Sequence, residues 1–389
     1  YQRVYVNGVL REGNVYGHTD DWQPWQPRFD FAVIPAPLRD GPNDLLFVGN
    51  RYGRLRARLE PASSPLLLNA RDVTLPDLVV DEAVRTRGAV VVMNATAEVQ
   101  RDAWLLAALD GDEPVATRVP TLAPHAVRKV GFAIVGHAAD APGPRDLHLR
   151  LASREAALDS ATVVLAVKQP HENRRVTFTS TLDGSVQYYG LLPAREPASE
   201  PADAAPALIL SLHGAAVEAI NQSGSYAPLS WAHVVAPTNR RPFGFNWEDW
   251  GRRDALEVLD LAAAALGAAP DRIHLTGHSM GGHGAWHVGA LHPDRFATVA
   301  PSAGWVSFWS YRPDRAAGDG SLLLAMLERA TLPSRTLRFA RNLAGLGVYV
   351  LHGADDQVVS VDEARTMREH LAAFHRDLDW HEQPGAGHW

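Results

Sequence analysis

The hexapeptide Gly277-His278-Ser279-Met280-Gly281-Gly282 follows the apolar run 273–276 and opens an amphipathic segment that reaches about His292. A serine so placed sits on a sharp strand-to-helix turn, in a backbone conformation that an L-residue adopts only under strain, and small neighbours on both sides relieve the clashes. Such a turn needs the strand before it in a sheet and the helix after it packed back on that sheet. It lifts the hydroxyl clear of the sheet and sets it beside the partial positive charge of a helix start. Ser279 is therefore the candidate nucleophile.

The chain around this turn has the pattern such a sheet requires. From Pro170 onward, strands alternate with helices, the mark of a largely parallel sheet with helices on both faces. The runs Ala207–Leu212, 273–276 and 348–351 are almost continuously apolar, as strands covered on both sides must be. Further strands are expected at 233–237, 299–304 and 378–382, and a hairpin at 176–181 and 187–191 around Asp183-Gly184. Leu256, Leu259, Ala263 and Leu266 share one helical face, which predicts a helix over 254–266 with Asp254 as its cap. The segment 195–206 reads as a loop.

The first 169 residues read differently, as short runs rich in valine, leucine and threonine between turn signals. Val4-Tyr5-Val6 before Asn7-Gly8 predicts a strand entering a hairpin, and 45–48, 89–93, 103–109 and 162–167 predict further strands. A β-sandwich accessory region is expected, divided as 1–77 and 78–169, ahead of a catalytic domain over 170–389. The first part resembles the jelly-roll sugar-binding domains attached to glycosidases, which implies carbohydrate as a partner. The second resembles an immunoglobulin-like module.

A serine hydroxyl is a weak nucleophile at neutral pH and needs a base within hydrogen-bond reach. The chain has 17 histidines, so position must choose among them. His388 stands in Pro384-Gly385-Ala386-Gly387-His388-Trp389, after the last expected strand, and is the candidate base. His352-Gly353-Ala354-Asp355-Asp356 follows the strand 348–351 and supplies two adjacent carboxylates to orient it. His283 and His287 have the spacing of a metal pair on a helix, but no acidic third ligand is evident near them. They are expected to face solvent or pack near the nucleophile, and His381 to pack within the last strand. Acyl transfer also needs two backbone N–H groups for the oxyanion. Met280, next after the nucleophile, and Ala215, in the small-residue turn His213-Gly214-Ala215-Ala216, are the candidates.

The remaining composition removes other classes. There is no cysteine, so thiolate metal sites, disulfides and a cysteine nucleophile are excluded. The net charge of -7 comes without a long run of one sign, giving no support for a nucleic-acid surface. No stretch approaches the ~18 apolar residues of a membrane-spanning helix. The chain opens on Tyr1 and stops at Trp389. A preceding segment, with a signal peptide, and a continuation past the histidine are expected, and with them a secreted or periplasmic location, with the cytoplasm as the alternative.

His213-Gly214, the Ser279 turn, Asp356 and His388, in that order, resemble the α/β-hydrolase superfamily over 171–389. Within it, Pro237 to Gly251, Gly277 to Trp286 and His352 to Val359 are similar to the polyhydroxybutyrate-depolymerase and feruloyl-esterase-like group and to the prolyl-oligopeptidase-like group. The resemblance implies an α/β-hydrolase fold and a serine esterase working through an acyl-enzyme without metal or organic cofactor. Its substrate would be a small-molecule or polymeric ester of plant-biomass or polyester type. Its H-G-x-x-D pattern selects Asp356 over Asp355. An S9-like serine peptidase is the alternative, although the first 169 residues are too short and unrepetitive for a seven-bladed propeller. A carbohydrate-binding protein with an inactive hydrolase domain is a third reading. Aromatic walls for the substrate are expected from Phe243, Phe245, Trp247, Trp250 and Trp305.

Overall fold

The computed structural model describes residues 3–11, 33–48, 56–195, 205–240, 246–311 and 321–388. Phe243, Phe245 and most of the expected loop at 195–206 lie outside them. The chain divides into two compact units, Tyr1–Pro170 with Arg175–Tyr188 and His171–Arg174 with Tyr189–Trp389.

In the first unit, Arg3–Val6 pairs antiparallel with both Val9–Arg11 and Leu45–Val48. The turn is made by Asn7 and Gly8, at φ 51 and 81, the pair of positive values that a two-residue hairpin of matching twist requires. Two further sheets follow. Leu66–Thr74, Ala83–Asn94 and Val127–His137 form one, and Leu78–Val79, Ala157–Lys168, Gly143–Ala152, Trp104–Leu109 and Val115–Arg118 form the other. In Gly143–Ala152 the side chains of Leu147, Leu149 and Leu151 are buried and those between them exposed. This period of two directs one face of the strand to a core shared with Leu105, Leu109, Phe132 and Ile134. Leu66–Thr74, on the N-terminal side of the boundary expected at 77, pairs with Ala83–Asn94, so this core draws on both sides of that boundary.

The sheet of the second unit runs Val186–Leu192, Ala232–Pro237, Ala207–Leu212, Ile273–His278, Thr298–Ser302, Gly347–Gly353 and Leu378–Gln383. Its first pairing is antiparallel and all the later ones are parallel. Every residue of Ala207–Leu212 is buried, as the unbroken apolar run demands of a strand with helices over both faces. The α/β-hydrolase fold read from the motifs is the fold observed. From Ala207–Leu212 the next strand in sequence lies on one side and the one after it on the other. The strand order therefore reverses between Ala207–Leu212 and Ile273–His278, and open α/β sheets bind ligands outside the carboxyl ends of the strands at such a reversal.

Two helices differ from expectation. The helix expected over 254–266 spans Trp250–Leu266, and its N-cap is Asp249. Asp254 is not a cap: it lies inside the helix, fully buried, and accepts from the Arg240 backbone N–H at 3.3 Å, with the guanidinium at 3.5 Å. Burial pushes its carboxyl up to about 6 against the pull of Arg240. The segment after Ser279, read as amphipathic, is the helix Met280–Leu291, buried from Met280 to Ala290. Its glycines and alanines leave room for neighbours on all sides, so it packs centrally. Among the described residues no helix is long and apolar enough to cross a membrane.

Candidate active site

Ser279 takes φ 59 and ψ -118 between the strand Ile273–His278 and the helix Met280–Leu291. This strained conformation is fixed from both directions. The Ser279 N–H donates to the Ser302 carbonyl at 2.9 Å, and the Ser279 carbonyl accepts from His283 N–H at 3.0 Å. The flanking glycines are a matter of room: a Cβ on Gly281 would run into the Leu212 carbonyl, and one on Gly277 into the Gly281 carbonyl. The helix thus starts hard against the ends of two strands, which sets where the serine stands.

The Ser279 hydroxyl lies 2.8 Å from His388 Nε2, and His388 Nδ1 donates to Asp356 Oδ2 at 2.7 Å. The three side chains come from the turn after Ile273–His278, the turn after Gly347–Gly353 and the segment after Leu378–Gln383, all at carboxyl ends of parallel strands. Asp355 points elsewhere. It is exposed, and its N–H donates to the Ala386 carbonyl at 2.9 Å.

Asp356 is held as tightly as the serine. Its Oδ1 accepts from Val358 and Val359 N–H at 2.8 and 2.9 Å. Burial pushes its pKa up, but the bonds from His388 and from the two amides outweigh this and leave it below the usual carboxylate range. His352, named in the sequence only as the first residue of the motif, completes the cradle. It is fully enclosed, with Nε2 donating to the Val359 carbonyl at 3.0 Å and standing 3.3 Å from Asp356 Oδ2. Among the described residues its Nδ1 has no hydrogen-bond partner. The one sequence signal for this role was its spacing four residues before Asp356.

His278 is a second residue that sequence reasoning passed over. Its ring lies 5.0 Å from that of His388, tilted by 42°, and Nδ1 stands 3.3 Å from Ser302 Oγ. Burial, and then the neighbouring His388, lower its pKa.

Met280 opens the helix, where a backbone N–H has no intrahelical acceptor. Ala215 lies exposed in the turn after Ala207–Leu212, between Gly214 and Ala216, which takes φ 61. A Cβ on Gly214 would stand 3.7 Å from Ser279 Cβ, so this turn passes directly beside the serine.

The aromatic residues are placed otherwise than expected. Trp247 is fully buried, its Nε1–H donating to the His213 carbonyl at 3.1 Å and its ring edge-on to His213 at 4.9 Å. It braces the Gly214 turn from below and does not line a substrate surface. Trp305, 2% exposed, stacks between His283 at 4.9 Å and Tyr311 at 4.5 Å. Both rings were drawn inward because each fills space around the small-residue helix, as the contact of Trp247 with Gly284 illustrates. Trp250 alone of the three is half-exposed, with the Arg240 and Arg253 guanidinium groups 5.7 and 5.9 Å from its ring.

His283 and His287 are buried inside the helix packing instead of facing solvent. His283 Nδ1 lies 3.0 Å from the Trp305 carbonyl and its Nε2 3.0 Å from Glu248 Oε1. Burial, reinforced by His283, lowers His287 to about 4. His381 is exposed on the last strand and bonds Gln383 at 2.8 Å, so it does not pack.

The model of the Esterase family matches residues 170–371, more than half of the chain. The chain belongs to the Esterase family. The matched stretch includes Ser279 and Asp356, with His388 beyond its end. Among relatives of this chain, an uncharacterized secreted protein of Arthroderma benhamiae is 29% identical over 47% of it. Poly(3-hydroxyalkanoate) depolymerase C of Paucimonas lemoignei is 28% identical over 39%. The matched regions span 21% and 39% of those relatives' own lengths. Among solved structures, the fluorophosphonate-binding serine hydrolase F of Staphylococcus aureus aligns with a TM-score of 0.44 at 14% identity, covering 57% of this chain and 92% of that one.

Proposed function

We infer that this esterase cleaves carboxylic esters through an acyl-enzyme, with Ser279 as nucleophile, His388 as general base and Asp356 as the orienting acid. The observation that carries this is the unbroken line from Ser279 Oγ through His388 to Asp356, with contacts of 2.8 and 2.7 Å. Because Asp356 accepts the Nδ1–H hydrogen bond, Nε2 is left as the acceptor facing the hydroxyl. Ser279 Oγ then attacks the ester carbonyl carbon as its proton passes to Nε2. The amides of Met280 and Ala215 receive the oxyanion. Collapse of the intermediate breaks the bond to the alkoxide, which leaves as the alcohol with the proton from Nε2. Water, deprotonated by the same nitrogen, releases the acid and restores the serine.

The substrate class we assign is an ester of the plant-biomass or polyester kind. The poly(3-hydroxyalkanoate) depolymerase among its relatives supports the polyester half of that reading, and the half-exposed ring of Trp250 offers an apolar contact for either. A secreted or periplasmic location fits the relative described as secreted. The test is a rate panel on the purified chain: short p-nitrophenyl esters, methyl ferulate, a 3-hydroxybutyrate oligomer and chromogenic dipeptides. Ester turnover without peptide turnover is expected. Faster cleavage of the dipeptides would replace the esterase reading with a peptidase one.

A further inference from the structure

A cavity of about 420 Å³ opens beside the segment that follows the strand Thr298–Ser302, the strand whose last carbonyl holds the Ser279 N–H. Pockets that take small organic ligands begin at roughly 300 Å³, so the space admits more than solvent. Its walls are mixed in a definite way. Val306, Trp309 and Leu337 supply apolar surface, and Arg335 and Arg338 supply positive charge, with no acidic side chain among the described residues of the lining.

Arg335 is weakly committed. Its Nη2 lies 3.9 Å from Glu328 Oε1, both side chains partly exposed, a separation and setting in which an ion pair contributes little. Arg335 Nε is shut off from solvent, and among the described residues it has no hydrogen-bond acceptor. A buried donor left unpaired is costly. Glu363 Oε2 is engaged by Val306 N–H at 2.9 Å and by Ser310 Oγ at 2.8 Å. The same two bonds fix the wall that carries Val306 and Trp309. Trp309 is pinned in turn by its Nε1–H on Thr331 Oγ1 at 2.8 Å. Two guanidinium groups in a lining with a fixed apolar wall match a carboxylate borne on an apolar chain, since the planar fork donates to a carboxylate in register.

We propose that this cavity is a subsite for a carboxylate carried on an apolar chain, the free-acid end of an ester substrate whose other end is cleaved at Ser279. The link to cleavage rests on the function proposed above. The binding does not, and the two are tested apart. In calorimetric titrations of the Ser279→Ala chain, hexanoate is expected to bind at one site at least about tenfold more tightly than hexanamide, the scale of one hydrogen bond to a charged group. Arg335→Gln is expected to remove that preference, and Arg338→Gln, at an exposed position, to reduce it without disturbing the fold. Equal binding of acid and amide, or no effect of either substitution, would overturn the subsite. So would inorganic phosphate binding more tightly than hexanoate, since the apolar wall would then contribute nothing. In turnover, the half-ester p-nitrophenyl hydrogen adipate is expected to show a KM about tenfold below that of its methyl-capped counterpart, with kcat similar. Arg335→Gln should raise only the half-ester's KM. Arg335-dependent hexanoate binding without turnover of either ester would keep the subsite and sink the esterase reading.

Discussion

His352 Nε2 stands 3.3 Å from Asp356 Oδ2, the same oxygen that His388 Nδ1 meets at 2.7 Å. Two imidazoles therefore converge on one carboxylate atom from opposite sides of its turn. His352 also bonds the Val359 carbonyl, so it ties the start of the turn to its end. It acts through Asp356 and touches no reacting atom, which makes it a positioning residue. His352→Phe is expected to lower kcat by about tenfold with KM nearly unchanged, on the scale of one lost bond to a charged group. His352→Gln, whose amide can still donate, should recover most of the loss. Equal defects in both variants would mean that ring shape alone matters.

The adjacent carboxylates provide a sharper test. Asp356→Asn is expected to lower kcat by roughly 10³ to 10⁴, because the amide favours the wrong tautomer of the histidine. Asp355→Asn should cost less than about tenfold, since that side chain is exposed and its engaged atom is the backbone N–H. Steady-state kinetics on one p-nitrophenyl ester decide it, and a larger defect at Asp355 would contradict the geometry.

Ser279→Ala should leave the fold intact and reduce turnover by about 10⁴ to 10⁶. A fluorophosphonate probe is expected to label the parent chain and not the variant. Persistent labelling of the variant would move the nucleophile to another residue.

His287 gives a stability prediction with a definite sign. In the folded chain its pKa is lowered from 6.5 to about 4 by burial and by His283. Between those values the unfolded chain binds more protons than the folded one, so stability falls as pH falls from 6.5 toward 4. His287→Gln should flatten part of that decline. Urea midpoints at about pH 7 and about pH 5 for both chains measure it, and parallel slopes would show that other groups carry the dependence.

The legible part of the sequence was the part where local chemistry dictates position. The Ser279 turn needs its glycines wherever it occurs, unbroken apolar runs need cover on both faces, and Asn7-Gly8 needs a two-residue turn. These constraints act within a few residues, and the strands and the serine came out where the pattern put them. The aromatic residues were not legible, because exposure of Trp247 or Trp305 depends on what packs against them from elsewhere. Trp247 answers to Gly284 and to the His213 carbonyl, neither of them close in sequence. Asp254 was misjudged for the same reason. A carboxylate near a helix start reads as a cap until Arg240, fourteen positions earlier, is seen to occupy it. His352 and His278 owe their importance to neighbours brought in by other strands.

The helix Met280–Leu291 packs so closely that its early glycines meet strand carbonyls. That has a consequence for redesign. A saturation library over 277–284 should return mostly wild-type residues, because nearly any added carbon displaces the serine together with the backbone that carries it. New specificity has to be sought in parts that can vary without moving that helix: the exposed Ala215 turn, the half-exposed Trp250 and the residues 306–310 and 335–338. Laboratory evolution of this chain should accumulate its accepted changes there, around an unchanging Ser279.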